Sequence, residues 1–161
     1  MSEKEIVYKL KRMGACGVLG TTIVRARRIF VDADRKGFKD VIRFLKNEGF
    51  THLSTITGLE VDDGIELLYH LNKGGVELTV RINLPLNEMV VPTITDIVPG
   101  ATLYEREVHD LLGIEFQGHP SLTPLILPDE WPEGAHPLRK HWTIEETPKE
   151  PTKKREETPS E

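Results

Sequence analysis

VELTVRINL, residues 76–84, decides how this chain folds. Val76, Leu78, Val80, Ile82 and Leu84 fall on one side of a strand, and Glu77, Thr79, Arg81 and Asn83 fall on the other. A period of two places one face in a core and the other in water, which is the habit of antiparallel sheets. Asn72-Lys73-Gly74-Gly75 just before it reads as a hairpin turn, so a second strand is expected over 64–71. Asp62-Asp63-Gly64 makes a similar turn one step earlier and implies a third strand over 51–57.

Upstream, Phe38, Val41, Ile42 and Leu45 sit at i, i+3, i+4 and i+7, the spacing of an amphipathic helix, and Gly49 closes it. Thr22 to Val31 is rich in β-branched residues and is read as one strand. Ser2-x-x-Glu5 resembles a capping box ahead of Ile6, Leu10 and Met13, with Gly14 as the stop. Downstream, Pro85 to Pro92 reads as a connector. A short helical turn is expected at Thr93, broken by Pro99-Gly100, and a helix over Ala101–Leu112 stopped by Gly113. The pattern predicts an α+β fold: two layers, a mainly antiparallel sheet with helices on one face. It divides into an α+β domain over 1–118, an extended proline-rich arm over 119–142 and a charged tail over 143–161, whose composition predicts disorder.

The formal net charge of −5 gives no reason to expect a nucleic-acid partner; Arg25, Arg27 and Arg28 cluster, but inside a strand-like run. The single cysteine, Cys16, can make neither an internal disulfide nor an iron–sulfur cluster. The first fourteen residues lack the apolar core of a signal peptide, and no apolar run reaches the roughly 18 residues of a membrane span. The chain therefore reads as cytoplasmic, with any membrane link made through a partner.

LYEREVHDLLGIEF, residues 103–116, is the stretch richest in chemistry. On a helix, Tyr104, Val108, Leu111 and Leu112 share one arc. Glu105, Arg106, His109 and Asp110 share the opposite one, where Arg106 can pair with Asp110 and Glu105 with His109. Asp110 stands at the helix C-terminus, where a negative charge is disfavoured, so it needs a compensating group: Arg106 or a cation on a partner. Two readings stay open, a salt-bridged wet face and an interface that reads charge. A catalytic reading would use Glu105, Glu107, His109 and Asp110 as acid and base, but no nucleophile motif, phosphate loop or paired metal ligands accompany them. Gly14-x-x-Gly17-x-x-Gly20 lacks the spacing of a dinucleotide fingerprint. His119, His136 and His141 are weighed as zinc ligands against simple loop packing.

Residues 119–140 carry five prolines, so no helix or central strand runs through them, yet they hold Leu122, Leu125, Ile126, Leu127, Trp131 and Leu138. A long irregular segment this apolar needs a surface to pack on.

Glu105-Arg106-Glu107-x-x-Asp110-Leu111-Leu112-Gly113-Ile114-x-Phe116-x-Gly118-His119-Pro120 resembles the signature of the 30 kDa-type subunit of NADH–quinone oxidoreductase, respiratory complex I. The same subunit type occurs in energy-converting membrane-bound hydrogenases. Pro128-Asp129-Glu130-Trp131 and His136-Pro137-Leu138-Arg139-Lys140 are similar to that family's ending, so the likeness spans roughly residues 38–142. Thr123-Pro124 and Trp131-Pro132 depart from the respiratory pattern and favour the hydrogenase or related archaeal branch. The resemblance implies a subunit of the hydrophilic arm that holds no cofactor itself. Iron–sulfur clusters, and a [NiFe] centre in the hydrogenase branch, would belong to partner subunits. The implied partners are the large hydrogenase-like catalytic subunit and the small iron–sulfur subunit, with the membrane arm reached indirectly from the cytoplasmic face. The implied partner-binding residues are Glu105, Arg106, Glu107, Asp110, His119, Pro120, Trp131, His136, Pro137, Leu138, Arg139 and Lys140, with Leu and Trp anchors lying on the large subunit. A rival role, lending Glu105, Glu107 or His109 to a proton path, stays open beside it.

Overall fold

The computed structural model describes residues 3–12 and 17–143. The expected capping Ser2, the stop at Gly14, Cys16 and the tail beyond Thr143 lie outside the described residues. The 76–84 strand is the middle of a five-stranded sheet. In chain order the elements are α1 (Glu3–Arg12), β1 (Val18–Arg25), β2 (Arg28–Ala33), α2 (Phe38–Asn47), β3 (His52–Val61), β4 (Gly64–Lys73), β5 (Val76–Leu84), β6 (Val90–Pro92), α3 (Ala101–Leu112) and β7 (Glu115–Gln117). The sheet order is β1-β2-β5-β4-β3. β4 and β5 pair antiparallel from Lys73↔Val76 to Ile65↔Leu84. Gly74 and Gly75 turn between them with φ of 55° and 80°, a conformation that costs glycine nothing. β3 and β4 also pair antiparallel; β2 lies parallel to β5, so the sheet is mixed with one parallel contact.

The alternation read in β5 holds. Leu78, Val80, Ile82 and Leu84 are buried beside Leu67, Tyr69 and Leu71 of β4 and Ile29 and Val31 of β2. Phe38, Val41, Ile42 and Leu45 of α2 close this face, with the Phe38 and Tyr69 rings 5.3 Å apart. Ile6 and Leu10 of α1 enter the same core. The opposite face carries ion pairs, among them Arg81 with Asp32 at 2.7 Å and Arg28 with Glu77. His70 and Thr79 hydrogen-bond across β4 and β5 at 3.0 Å, and burial lowers the His70 pKa.

Two expectations are corrected and a third is shifted by one residue. Thr22 to Val31 is not one strand: the chain turns at Ala26-Arg27 into a hairpin, with Arg27 at φ 62°. No Gly, Asn or Pro marks this turn, so propensity gives no warning of it. The basic cluster of Arg25, Arg27 and Arg28 therefore sits at a hairpin tip. The helical turn expected at Thr93 forms one residue later: Val98 N–H donates to Ile94 O at 2.8 Å, while Thr93 N–H donates to Gln117 O at 2.9 Å. Pro85–Pro92 is not only a connector, because Val90–Pro92 pairs parallel with Glu115–Gln117 as a separate small sheet.

α3 lies against β3, and Gly58 is what lets it approach. A Cβ at Gly58 would stand 2.3 Å from Leu112 Cδ1 and 3.5 Å from Val108 Cγ1. Leu112, like Val108, is buried there. Gly113 ends the helix at φ 76°, and its N–H returns to His109 O at 2.8 Å. No helix among the described residues is long and apolar enough to cross a membrane.

Candidate partner-docking site on α3 and the proline-rich arm

The helix period places Glu105 and Asp110 on a wet arc, but the fold buries both, at 0% and 4% exposure. The small β6–β7 sheet and the arm cover that side of α3. Glu105 meets the loop after β6: Ile94 N–H donates to its Oε1 at 2.9 Å, and the Thr93 hydroxyl donates to its Oε2. Burial dominates those two bonds and pushes its pKa up to about 7. The buried Tyr69 hydroxyl has no hydrogen-bond partner among the described residues; burial, and then the Glu105 charge, raise its pKa.

The charge on Asp110 is answered differently from expectation. Arg106 does not pair with it. Instead Arg106 Nε donates to Thr123 O at 2.8 Å and Nη2 to Pro124 O at 2.6 Å. Asp110 Oδ2 accepts the N–H groups of Leu125, Ile126 and Leu127 at 2.6, 2.8 and 3.4 Å. Consecutive backbone donors thus converge on one carboxylate oxygen, the inverse of a backbone nest around an anion from outside the chain. His109 does not pair with Glu105; its Nδ1 donates to Ile114 O at 2.8 Å.

Further contacts fasten the arm along α3. His119 Nε2 donates to Thr102 O at 3.1 Å, and its Nδ1 accepts from Ser121 N–H. His136 Nδ1 donates to the Asp110 carbonyl at 2.8 Å, with its ring against Gly113. Leu138 N–H bonds Leu111 O at 3.1 Å. The arm therefore follows α3 turn by turn, bulging away between residues 128 and 135.

The acidic groups that Arg139 and Lys140 meet are the chain's own. Arg139 Nε stands 3.0 Å from Glu60 Oε2, with the two side chains 9% and 10% exposed; the alignment is that of an ion pair, and Nε makes no hydrogen bond. Lys140 N–H donates to the same Glu60 carboxylate at 2.8 Å, and its Nζ reaches Asp62 at 3.3 Å. The Lys140 N–H, aided by the neighbouring Arg139 charge, holds the Glu60 carboxyl below its usual range. Trp131 is half-buried: Nε1 donates to Ala135 O at 2.8 Å, and its ring stacks on Trp142 at 5.8 Å. Glu107 and Pro120 are exposed, and Pro137 is half-buried. His119, His136 and His141 gather no metal site: among the described residues no three His, Cys, Asp or Glu side chains come together to hold one.

With its backbone fastened inward, the arm turns apolar side chains outward. Leu125, Ile126 and Leu138 are 39%, 55% and 56% exposed, and Leu103 on α3 is 56% exposed. Only Leu122 reaches the core. Leu103 was not among the expected site residues; it lies one turn before the exposed Glu107, on a side of α3 that the arm leaves open.

Residues 31–148 match the model of the respiratory-chain NADH dehydrogenase 30 kDa subunit family. The chain belongs to that family. Members of the 30 kDa family similar to this one occur in both respiratory and hydrogenase-type systems. The membrane-bound hydrogenase subunit beta of Pyrococcus furiosus is 33% identical over 120 residues, covering 70% of this chain and 68% of that one. The C/D-type NADH-quinone oxidoreductase subunit of Acinetobacter baylyi is 44% identical over 92 residues, 56% of this chain but 15% of the relative. The chain spans about two thirds (64% to 69%) of NADH-quinone oxidoreductase relatives from Thermus thermophilus and Moorella thermoacetica. Among solved structures, a chain of the membrane-bound sulfane sulfur reductase, an archaeal respiratory membrane complex, superposes with a TM-score of 0.78 at 28% identity. The overlap covers 88% of this chain and 85% of that one. The α+β architecture is shared with that chain. This chain is thus a subunit type of multi-subunit respiratory or hydrogenase-type membrane complexes.

Proposed function

We propose that this chain is a cofactor-free, peripheral subunit of the hydrophilic arm of an energy-converting oxidoreductase of the hydrogenase or related archaeal type. It docks on the large [NiFe]-hydrogenase-like subunit and stabilises it, with the small iron–sulfur subunit nearby, on the cytoplasmic face. Electron transfer coupled to ion translocation takes place in those partners. The observation that carries this reading is the division of labour in the arm. Its backbone is bound to α3 through Arg106 and Asp110, while Leu103, Leu125, Ile126 and Leu138 face outward. Exposed apolar side chains on a fastened backbone lose little entropy on docking, the condition for tight binding by a small area. The Acinetobacter relative supports the partner: its C/D name joins two subunits, and the matched segment is a small part of that longer chain. The corresponding 30 kDa-type subunit of an NADH- or other donor:quinone oxidoreductase is the other member of the same class, and the Acinetobacter name speaks for it.

The test is co-purification of the complex. A Leu125→Asp/Ile126→Asp variant should lose its partners, by about 2 kcal/mol or more in docking, while the isolated chain melts as the wild type does. Retained assembly refutes the docking reading. A role in proton transfer has one observation in its favour, the buried Glu105 with its pKa near 7. Loss of turnover in an assembled Glu105→Gln complex would establish it, and full turnover would dismiss it.

A further inference from the structure

Between residues 128 and 135 the arm bulges and encloses a cleft of about 300 Å³ over the last turn of α3. Trp131 and Leu127 give it apolar lining, and Asp129, Glu133, His109 and His136 line it as well. The indole cannot swing away, since Nε1 is bonded to Ala135 O and the ring is stacked on Trp142.

The polar character of this cleft is one-sided. A carbonyl oxygen can only accept, so the contacts of His109 Nδ1 with Ile114 O and of His136 Nδ1 with Asp110 O put the proton on Nδ1 in both rings. The Nε2 edge of His136 packs against Gly113, so the acceptors this cleft offers are its carboxylates. Asp129 and Glu133 carry such groups, and among the described residues neither forms an ion pair. An aromatic wall beside carboxylates that form no ion pair recognises a cation on an apolar stem. A guanidinium suits it better than an ammonium: it is planar, stacks on indole, and offers five donors in a fixed fork. The cleft is also continuous with the docking ridge, because its lining residues Pro124 and Leu127 flank Leu125 and Ile126.

We propose that this cleft receives an arginine side chain of the neighbouring subunit, an inference that rests on the docking reading above. Trp131 then acts as a wall of the socket, where the sequence suggests an anchor that inserts into the partner.

The experiment uses the assembled complex. A photo-cross-linking residue placed at Glu133 should capture a peptide of the neighbouring subunit that contains an arginine. Asp129→Lys/Glu133→Lys should reduce co-purification about tenfold or more, since a buried charge pair becomes a repulsion. Reversing the captured arginine to Glu in the partner should restore assembly with that double variant and impair it with the wild type. Both substituted side chains are exposed, so the isolated variant should melt like the wild type. Capture of the chain's own Lys153, Lys154 or Arg155, or of a peptide without arginine, overturns the proposal, as does normal assembly of the double-Lys variant. If that variant assembles normally while Leu125→Asp/Ile126→Asp does not, the cleft inference alone has failed. If both assemble, the docking reading has failed with it.

Discussion

Asp110→Asn is the substitution that isolates how the arm is held. The change keeps the side-chain shape but removes the charge on an oxygen accepting from Leu125, Ile126 and Leu127. Hydrogen bonds to a charged acceptor contribute about 1.5–3 kcal/mol each, against about 1 kcal/mol for a neutral one. The bond to Leu127 at 3.4 Å is too long to count for much, which leaves the two at 2.6 and 2.8 Å. Each loses about 1 kcal/mol, so the arm should be loosened by about 2 kcal/mol. The loss is local, because Leu122, the arm's apolar side chain that packs against the core, lies outside the 125–127 segment. The suitable assay is native-state hydrogen exchange at the amides of Leu125, Ile126 and Leu127, where about 2 kcal/mol appears as roughly 30-fold faster exchange. The thermal midpoint should move little. Exchange at these amides within about threefold of the wild type would mean that the carboxylate does not fasten the arm, and the reasoning would be refuted.

Glu105→Gln tests the buried acid. Its folded pKa of about 7 lies above the ordinary 4.5, so the folded state binds the proton more tightly and ionisation costs stability. The penalty is absent below pH 4.5, grows as pH rises to about 7, and amounts to about 3 kcal/mol beyond that. Denaturant titrations should therefore show the Gln variant gaining on the wild type by about that amount between about pH 4 and pH 8; a constant difference would contradict the assignment. Gly113→Ala should destabilise by about 2 kcal/mol, since φ is positive and the new Cβ would sit 2.5 Å from the His136 ring. A variant with unchanged melting and unchanged exchange at Leu138 would show that the close approach of helix end and arm is not required.

The parts of the fold that were legible are those where side-chain period and turn chemistry agree. Val76 to Leu84 alternates because each residue meets the same two layers. Phe38, Val41, Ile42 and Leu45 repeat because α2 covers those layers. What stayed hidden was decided by backbone groups far away in the chain. The hairpin at Arg27 has no turn residue, and the β6–β7 pairing joins two three-residue strands, one ending in Pro92. Glu105 and Asp110 look like surface residues from the helix period alone. They are buried because N–H groups of 94 and of 125–127 are aimed at them, and an N–H carries no sequence identity. Arg139 and Lys140 were legible as charges in need of acids, but not that Glu60 and Asp62 across the β3–β4 hairpin supply them.

The same fact explains why the arm can be both fastened and available. A proline-rich segment satisfies few of its own backbone groups, so Leu125, Ile126 and Leu127 need an outside acceptor wherever the arm lies. A hydrophobic anchorage would have consumed the side chains in holding the arm to its own domain. A carboxylate that binds only N–H groups leaves the side chains free, and Leu125 and Ile126 remain exposed. Placing that carboxylate at the C-terminal end of α3 would be unfavourable alone, since the helix dipole opposes it. The three donors converging on Asp110 offset this, so carboxylate and arm each need the other. That mutual need is why loosening one should be read out at the other.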